Sequence, residues 1–178
     1  MSSGWDLWEK ARQGDQSAWR CLFRDYYPGL VRLTALLTGS KDAAEDVSQE
    51  AFYKLLKVPP RDRRGSIKGY LSTIAYRLAL KERQRGLKNQ SLTNLDVPAA
   101  SPSALERAIN DETQRQVVQA LHSLDEKHRT IVILRFYAEQ TYEEIAATTG
   151  IPLGTVKSRI FYAVKQCRET LQALGVHP

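Results

Sequence analysis

Residues 141–165 read TYEEIAATTGIPLGTVKSRIFYAVK. The spacing predicts two short helices with a tight corner between them. Thr141 can N-cap the first, and Glu144, three residues on, can reach back to complete a capping box. Ile145, Ala146 and Thr149 share one face at helical spacing. Gly150 stands where a helix ends in a left-handed residue, a conformation that costs glycine nothing. Ile151 plugs the corner and Pro152 cannot continue the first helix. In the next helix Val156, Ile160 and Ala163 recur at inward positions. Thr155, Lys157, Ser158, Arg159 and Tyr162 are left to face out, with Lys165 one turn further. The Ala-x3-Gly-Ile-x4-Val spacing is that of a helix-turn-helix, whose second helix reads base edges in the major groove. A plain αα-corner is the competing reading. Hydroxyl and basic donors without a single acid from Thr155 to Lys165 favour DNA.

The rest of the chain is bounded by composition. Its 178 residues suit one domain or two small ones, and 42% hydrophobic content suffices for packed cores. A net charge of +6 favours a polyanionic partner without naming it. Cys21 and Cys167 lie far apart on helical patterns and read as reduced, buried residues. His122, His128 and His177 make no metal-ligand spacing with them, so no metal or other cofactor is expected. The first residues, MSSGWDLWEKARQGD, are charged where a signal peptide needs an apolar core. No run approaches the roughly 18 apolar residues of a membrane span, so membrane insertion is not expected and the location is read as cytoplasmic.

Residues 5–38 read as two helices broken near Gly14-Asp15, with Pro28 expected to bend or restart the second. Their many aromatics read as core. Residues 41–57, KDAAEDVSQEAFYKLLK, have an apolar stripe of Ala44, Val47, Ala51 and Leu55. Opposite it lie Asp42, Glu45, Asp46, Gln49, Glu50 and Tyr53. Acids early in a helix oppose its dipole. Spacing therefore weighs a solvated face and a docking face for a basic partner evenly. After the Pro59-Pro60 stop, residues 61–88 carry nine Lys and Arg against Asp62 and Glu82. That net +7 exceeds the +6 of the whole chain. The excess positive charge is concentrated here, as for a phosphate-backbone footprint. Tyr70 and Tyr76 within it read equally as base-stacking rings or as core.

Residues 86–104 lose periodicity and gain Asn, Ser and Pro. The fold class expected is all-α: two small helical domains, 1–88 and 105–178, joined by a flexible linker at 89–104. The C-terminal domain holds the helix-turn-helix. A helix over about 105–124 precedes it, then a second that Ser123 and Glu126 are expected to cap as a box. That second helix carries Ile131, Val132, Leu134, Arg135 and Phe136.

With these stretches in hand the chain resembles the extracytoplasmic-function sigma factors, two-domain promoter-recognition subunits of bacterial RNA polymerase. DAAEDVSQEAF at 42–52, IKGYLSTIAYRLA at 67–79 and the run from Ser123 to Arg159 carry the resemblance. It implies core RNA polymerase and promoter DNA as partners. It places Asp46, Gln49, Glu50 and Phe52 against the polymerase clamp helices. It gives minus-ten recognition and strand opening to Arg61, Arg63, Arg64, Lys68, Tyr70, Arg77, Lys81 and Arg83. It gives the duplex minus-thirty-five element to Thr155, Lys157, Ser158, Arg159, Tyr162 and Lys165. Many family members are held inactive by an anti-sigma protein, which makes one a candidate partner here.

This chain also departs from the family pattern. The family commonly carries Trp, Asn and Asp where Tyr70, Arg77 and Lys81 stand, and often Arg where Tyr162 and Val164 stand. Neither catalysis nor a small-molecule substrate is expected, since Glu143 and Glu144 join no His or third carboxylate in a metal-binding spacing. No phosphate-cradling glycine loop occurs either. The alternative is a free-standing dimeric helix-turn-helix regulator, which needs a dimer surface the heptad pattern does not supply and leaves the second basic module unexplained.

Overall fold

The structure, a computed structural model, describes residues 4–58, 60, 65–93 and 112–176, with 86–93 as backbone alone. The chain divides into two compact units, Met1–Ala99 and Ala100–Pro178. Every regular element among the described residues is helical, in line with the all-α reading.

The first unit holds α1 (Gly4–Arg12), α2 (Gln16–Thr38), α3 (Lys41–Lys57) and α4 (Ile67–Thr93). Asp15 starts α2 by accepting from the backbone N–H groups of Ser17 (2.8 Å) and Ala18 (3.1 Å), two of the donors a helix start leaves unpaired. Its carboxyl is held below the usual carboxylate range, first by the Ser17 hydroxyl. Gly39 ends α2 at φ 71°, and Ser40 starts α3 by accepting from Ala43.

Pro28, expected to bend or restart the helix, does not restart it: α2 runs through it as one helix. Proline removes the donor to the carbonyl of Arg24, and both residues are exposed, so water can serve that carbonyl. The helix α4 continues to Thr93, inside the stretch read as linker, because no proline stands between Pro60 and Pro98 to stop it. Leu80 is exposed, while Leu78 and Ala79 are buried.

Leu22, Leu33, Leu55 and Leu71 form the centre of this unit. Ala44 and Ala51 are fully buried and let α3 approach α2 closely. At that approach the Thr34 hydroxyl lies 3.0 Å from the Ala44 carbonyl oxygen and 2.9 Å from the Ser48 hydroxyl, all buried. This bond joins two helices in a medium where an unmatched hydroxyl is costly.

The second unit holds α5 (Glu112–His122), α6 (Glu126–Val132), a π-helical turn (Ile133–Tyr137), α7 (Tyr142–Thr149) and α8 (Leu153–Ala173). Leu124, Val132 and Ala163 pack together, with Leu121 and Cys167 against them. The expected Ser123 cap is corrected. Asp125 is the N-cap, its carboxylate accepting from the His128 N–H at 2.9 Å, while Ser123 donates back to the Ala120 carbonyl. Cys21 and Cys167 are free and half-buried rather than buried, and burial raises the Cys167 thiol pKa.

Thr34→Val keeps the shape of the α2–α3 contact and deletes its hydroxyl. The expected cost is about 1–3 kcal/mol, read as a lowered urea midpoint of the full chain. An unchanged midpoint would show that Ser48 and the Ala44 carbonyl satisfy each other without Thr34.

Candidate nucleic-acid interface

The helix-turn-helix begins before its first helix. In the π-helical turn the Ala138 N–H reaches the Ile133 carbonyl at 3.1 Å, five residues back. This turn inserts one residue into the helical repeat, and Phe136 within it is 60% exposed. Glu139 then adopts φ 58°, and the Gln140 N–H donates to the Leu134 carbonyl at 3.1 Å. Arg135 donates to the Gln140 carbonyl at 3.0 Å and lies over the Tyr142 ring, 5.3 Å from its centroid. These contacts fix the direction in which α7 sets out.

At the start of α7 both halves of the capping box are present. The Glu144 N–H donates to the Thr141 hydroxyl at 3.1 Å, and the Thr141 N–H to the Glu144 carboxylate at 2.7 Å. Gly150 closes the helix at φ 75°, its N–H donating to the Ala146 carbonyl at 2.9 Å. Pro152 starts α8, where Val156, Ile160 and Ala163 are buried against the unit.

Of the six residues expected on the outward face, Lys157, Ser158, Tyr162 and Lys165 are exposed, while Thr155 and Arg159 are half-buried. The Ser158 hydroxyl donates to the Thr155 carbonyl at 3.1 Å. One exposed residue escaped the sequence reading. Phe161 is 66% exposed and meets Tyr162 edge to face at 5.5 Å. Its position three residues after Ser158 was the available signal. The outer face of α8 thus pairs basic donors with an aromatic edge, the combination that meets phosphates and thymine methyl groups.

In the first unit the acidic face of α3 is as expected: Asp46, Gln49 and Glu50 are exposed, and Glu50 pairs with Lys54 at 3.1 Å. Phe52 is 2% exposed and enclosed by Trp19, Phe23 and Tyr27, with ring centroids 5.5–5.6 Å away, so in the free chain it lies beneath the face that carries the other three. On α4, Tyr70, Arg77 and Lys81 recur at helical spacing along one stripe. Arg77 and Lys81 are exposed; Tyr70, Lys68 and Arg83 are half-buried. Arg61, Arg63 and Arg64 lie outside the described residues. Lys81 also lines a shallow cleft of about 110 Å³ with Asp46, Glu50, Glu82 and Arg85, where basic α4 meets acidic α3.

Comparison with known proteins agrees with this division. The family model Sigma-70 region 2 matches residues 22–87, and Sigma-70, region 4 matches residues 120–169. The ECF RNA polymerase sigma factor SigL of Mycobacterium tuberculosis is 30% identical over 169 residues, covering 93% of this chain and 96% of that one. The ECF RNA polymerase sigma factor SigE of Mycolicibacterium smegmatis is 33% identical over 165 residues, 89% of this chain, which spans 64% of that relative's length. Among solved structures, the sigma factor RpoE of Bartonella quintana, in complex with the anti-sigma factor NepR, shares the fold. Its TM-score is 0.67 at 24% identity, covering 86% of this chain and 96% of that one. The chain belongs to the extracytoplasmic-function RNA polymerase sigma factors.

Gly150→Ala tests the corner alone, since nothing lies within 4 Å of the added Cβ. The expected loss is about 1–2 kcal/mol from the left-handed backbone, read by urea unfolding of the full chain, with Gly150→Asn less affected. Equal stability of Ala and Gly at this position would contradict the αL corner.

Proposed function

We propose that this chain is the promoter-specificity subunit of a bacterial RNA polymerase, a non-enzymatic factor acting in the cytoplasm. Residues 1–88 dock on core polymerase and engage the minus-ten element. Residues 105–178 read the minus-thirty-five element, and 89–104 link them. Three surfaces of different character support this reading: acidic on α3, basic on α4, and basic with aromatics on α8. A partner that binds acids and DNA that binds bases can then be held at once.

Asp46, Gln49 and Glu50 are the polymerase contacts, with Phe52 stiffening the helix that carries them. Arg61, Arg63, Arg64, Lys68, Tyr70, Arg77, Lys81 and Arg83 serve the minus-ten element. Lys81 does so from the edge of the acidic cleft, so it sits where docking and DNA binding meet. Thr155, Lys157, Ser158, Arg159, Tyr162 and Lys165 serve the minus-thirty-five duplex, and we add Phe161 beside Tyr162. Because the two DNA contacts are linked, each adds to the other through effective concentration, and neither has to be strong by itself. The solved relative bound to an anti-sigma factor supports a protein of that class as a second partner here. A free-standing dimeric regulator would leave the acidic face of α3 without a role.

The double charge reversal Asp46→Lys/Glu50→Lys tests the docking assignment. Both residues are exposed, and the Glu50–Lys54 pair it removes is a surface pair worth at most about 1 kcal/mol. Folding should therefore survive while co-elution with core polymerase is lost. A reversed protein that still assembles holoenzyme would return this helix to an ordinary solvated face.

A further inference from the structure

The short helix α1 has no part in the assignments above, yet it carries two tryptophans at spacing i, i+3, and so on one face. Nine residues are too few to hold a helix by themselves, so tertiary contacts must keep it in place. Each indole N–H makes one of those contacts. Trp8 is fully buried and donates to the Leu55 carbonyl at 2.8 Å. Leu55 lies in the last turn of α3, where carbonyls have no donor within the helix, so the indole fills a vacancy the helix end creates. Trp5 donates to the Gly65 carbonyl at 3.0 Å. Gly65 is left-handed at φ 78°, and next to it Ser66 caps α4 by accepting from the Gly69 N–H at 3.0 Å. The Trp5 ring also packs on Tyr70 (5.7 Å between centroids) and edge-on to Trp8 (5.7 Å). Leu55 and Gly65 are the two ends of the connection from α3 to α4. One turn of α1 therefore bonds to both ends of it.

We propose that α1 is a positioning element for promoter opening. Trp5 and Trp8 hold the end of α3 and the start of α4 at a set separation, and Trp5 fixes the first turn of α4, with Tyr70, in the place where it meets unpaired bases. The inference rests on the reading of residues 61–85 as the minus-ten element. Its physical basis is that Tyr70 stands at the start of α4, which Ile67 and Leu71 anchor in the core and which the bond to Gly65 ties to α1 on the side where Tyr70 lies. An exposed hydrogen bond to a left-handed glycine is a weak contribution to stability, but it sets direction where direction decides whether a ring can stack.

The test uses holoenzyme reconstituted with the full chain on a duplex promoter. Trp5→Phe keeps a ring against Tyr70 and removes the N–H. A chain with β-(3-benzothienyl)alanine at position 5 keeps the bicyclic shape and also lacks the donor, so it remains informative if the Phe variant folds poorly. Permanganate reactivity over the minus-ten region is expected to rise about fivefold more slowly in both, the worth of one net hydrogen bond. Core-polymerase binding and protection at minus thirty-five should stay at the unmodified level. Opening at the unmodified rate, or equal losses in opening and in minus-thirty-five protection, would overturn the proposal. Arg61→Ala/Arg63→Ala/Arg64→Ala serves as the control. If this triple variant opens the promoter normally, the minus-ten reading fails and the inference with it. If it opens poorly while the Trp5 variants open normally, only the role of α1 fails.

Discussion

Every helix leaves unpaired N–H groups at its start and unpaired carbonyls at its end, and a chain built of short helices meets that requirement many times over. Here the solutions define the architecture. Asp15, Ser40, Ser66, Asp125 and Thr141 each supply a side-chain oxygen to a helix start. Gly39 and Gly150 let helices end in the left-handed region. Where no local residue serves, a distant one does, as Trp8 does for the last turn of α3. The caps set where each helix stops, and the stops set which faces remain outside.

Those outside faces differ sharply in charge. Acidic α3 and basic α4 pack against one another, so faces of opposite charge sit on adjacent helices of one small unit. At their meeting point Lys81 and Arg85 stand beside Asp46 and Glu50. Exposed charges so close add little to stability, and their chief effect is on the local field. In the second unit Val156, Ile160 and Ala163, with Cys167 one turn on, supply the inward stripe of α8 and leave Lys157, Ser158, Tyr162 and Lys165 exposed.

The local parts of this fold were legible from sequence, and the tertiary parts were not. Thr141 with Glu144, and Gly150 before Pro152, carry their geometry in their residue types, so the corner could be read directly. The π-helical turn could not, because inserting one residue in a helix changes neither composition nor hydrophobicity. Phe136, within that turn, stands at the surface. Resemblance placed Phe52 in the docking set, but no spacing could show that the aromatics of α2 enclose it. Ser123 and Asp125 were both competent caps, and only the backbone shows that Asp125 reaches the His128 N–H. The bonds from Trp5 and Trp8 join residues 60 and 47 positions apart, beyond the reach of any periodicity argument.

Sigma-factor action makes one demand that other DNA-binding proteins do not share: the protein must redirect a polymerase. The most direct measurement is run-off transcription by core bacterial RNA polymerase, with and without this chain, on DNA from upstream of its own gene. The account predicts discrete transcripts from one start site only when the chain is added, and promoter protection only in the presence of core enzyme. Sequence-specific duplex binding by the chain alone, with no association with core and no new transcript, would contradict it.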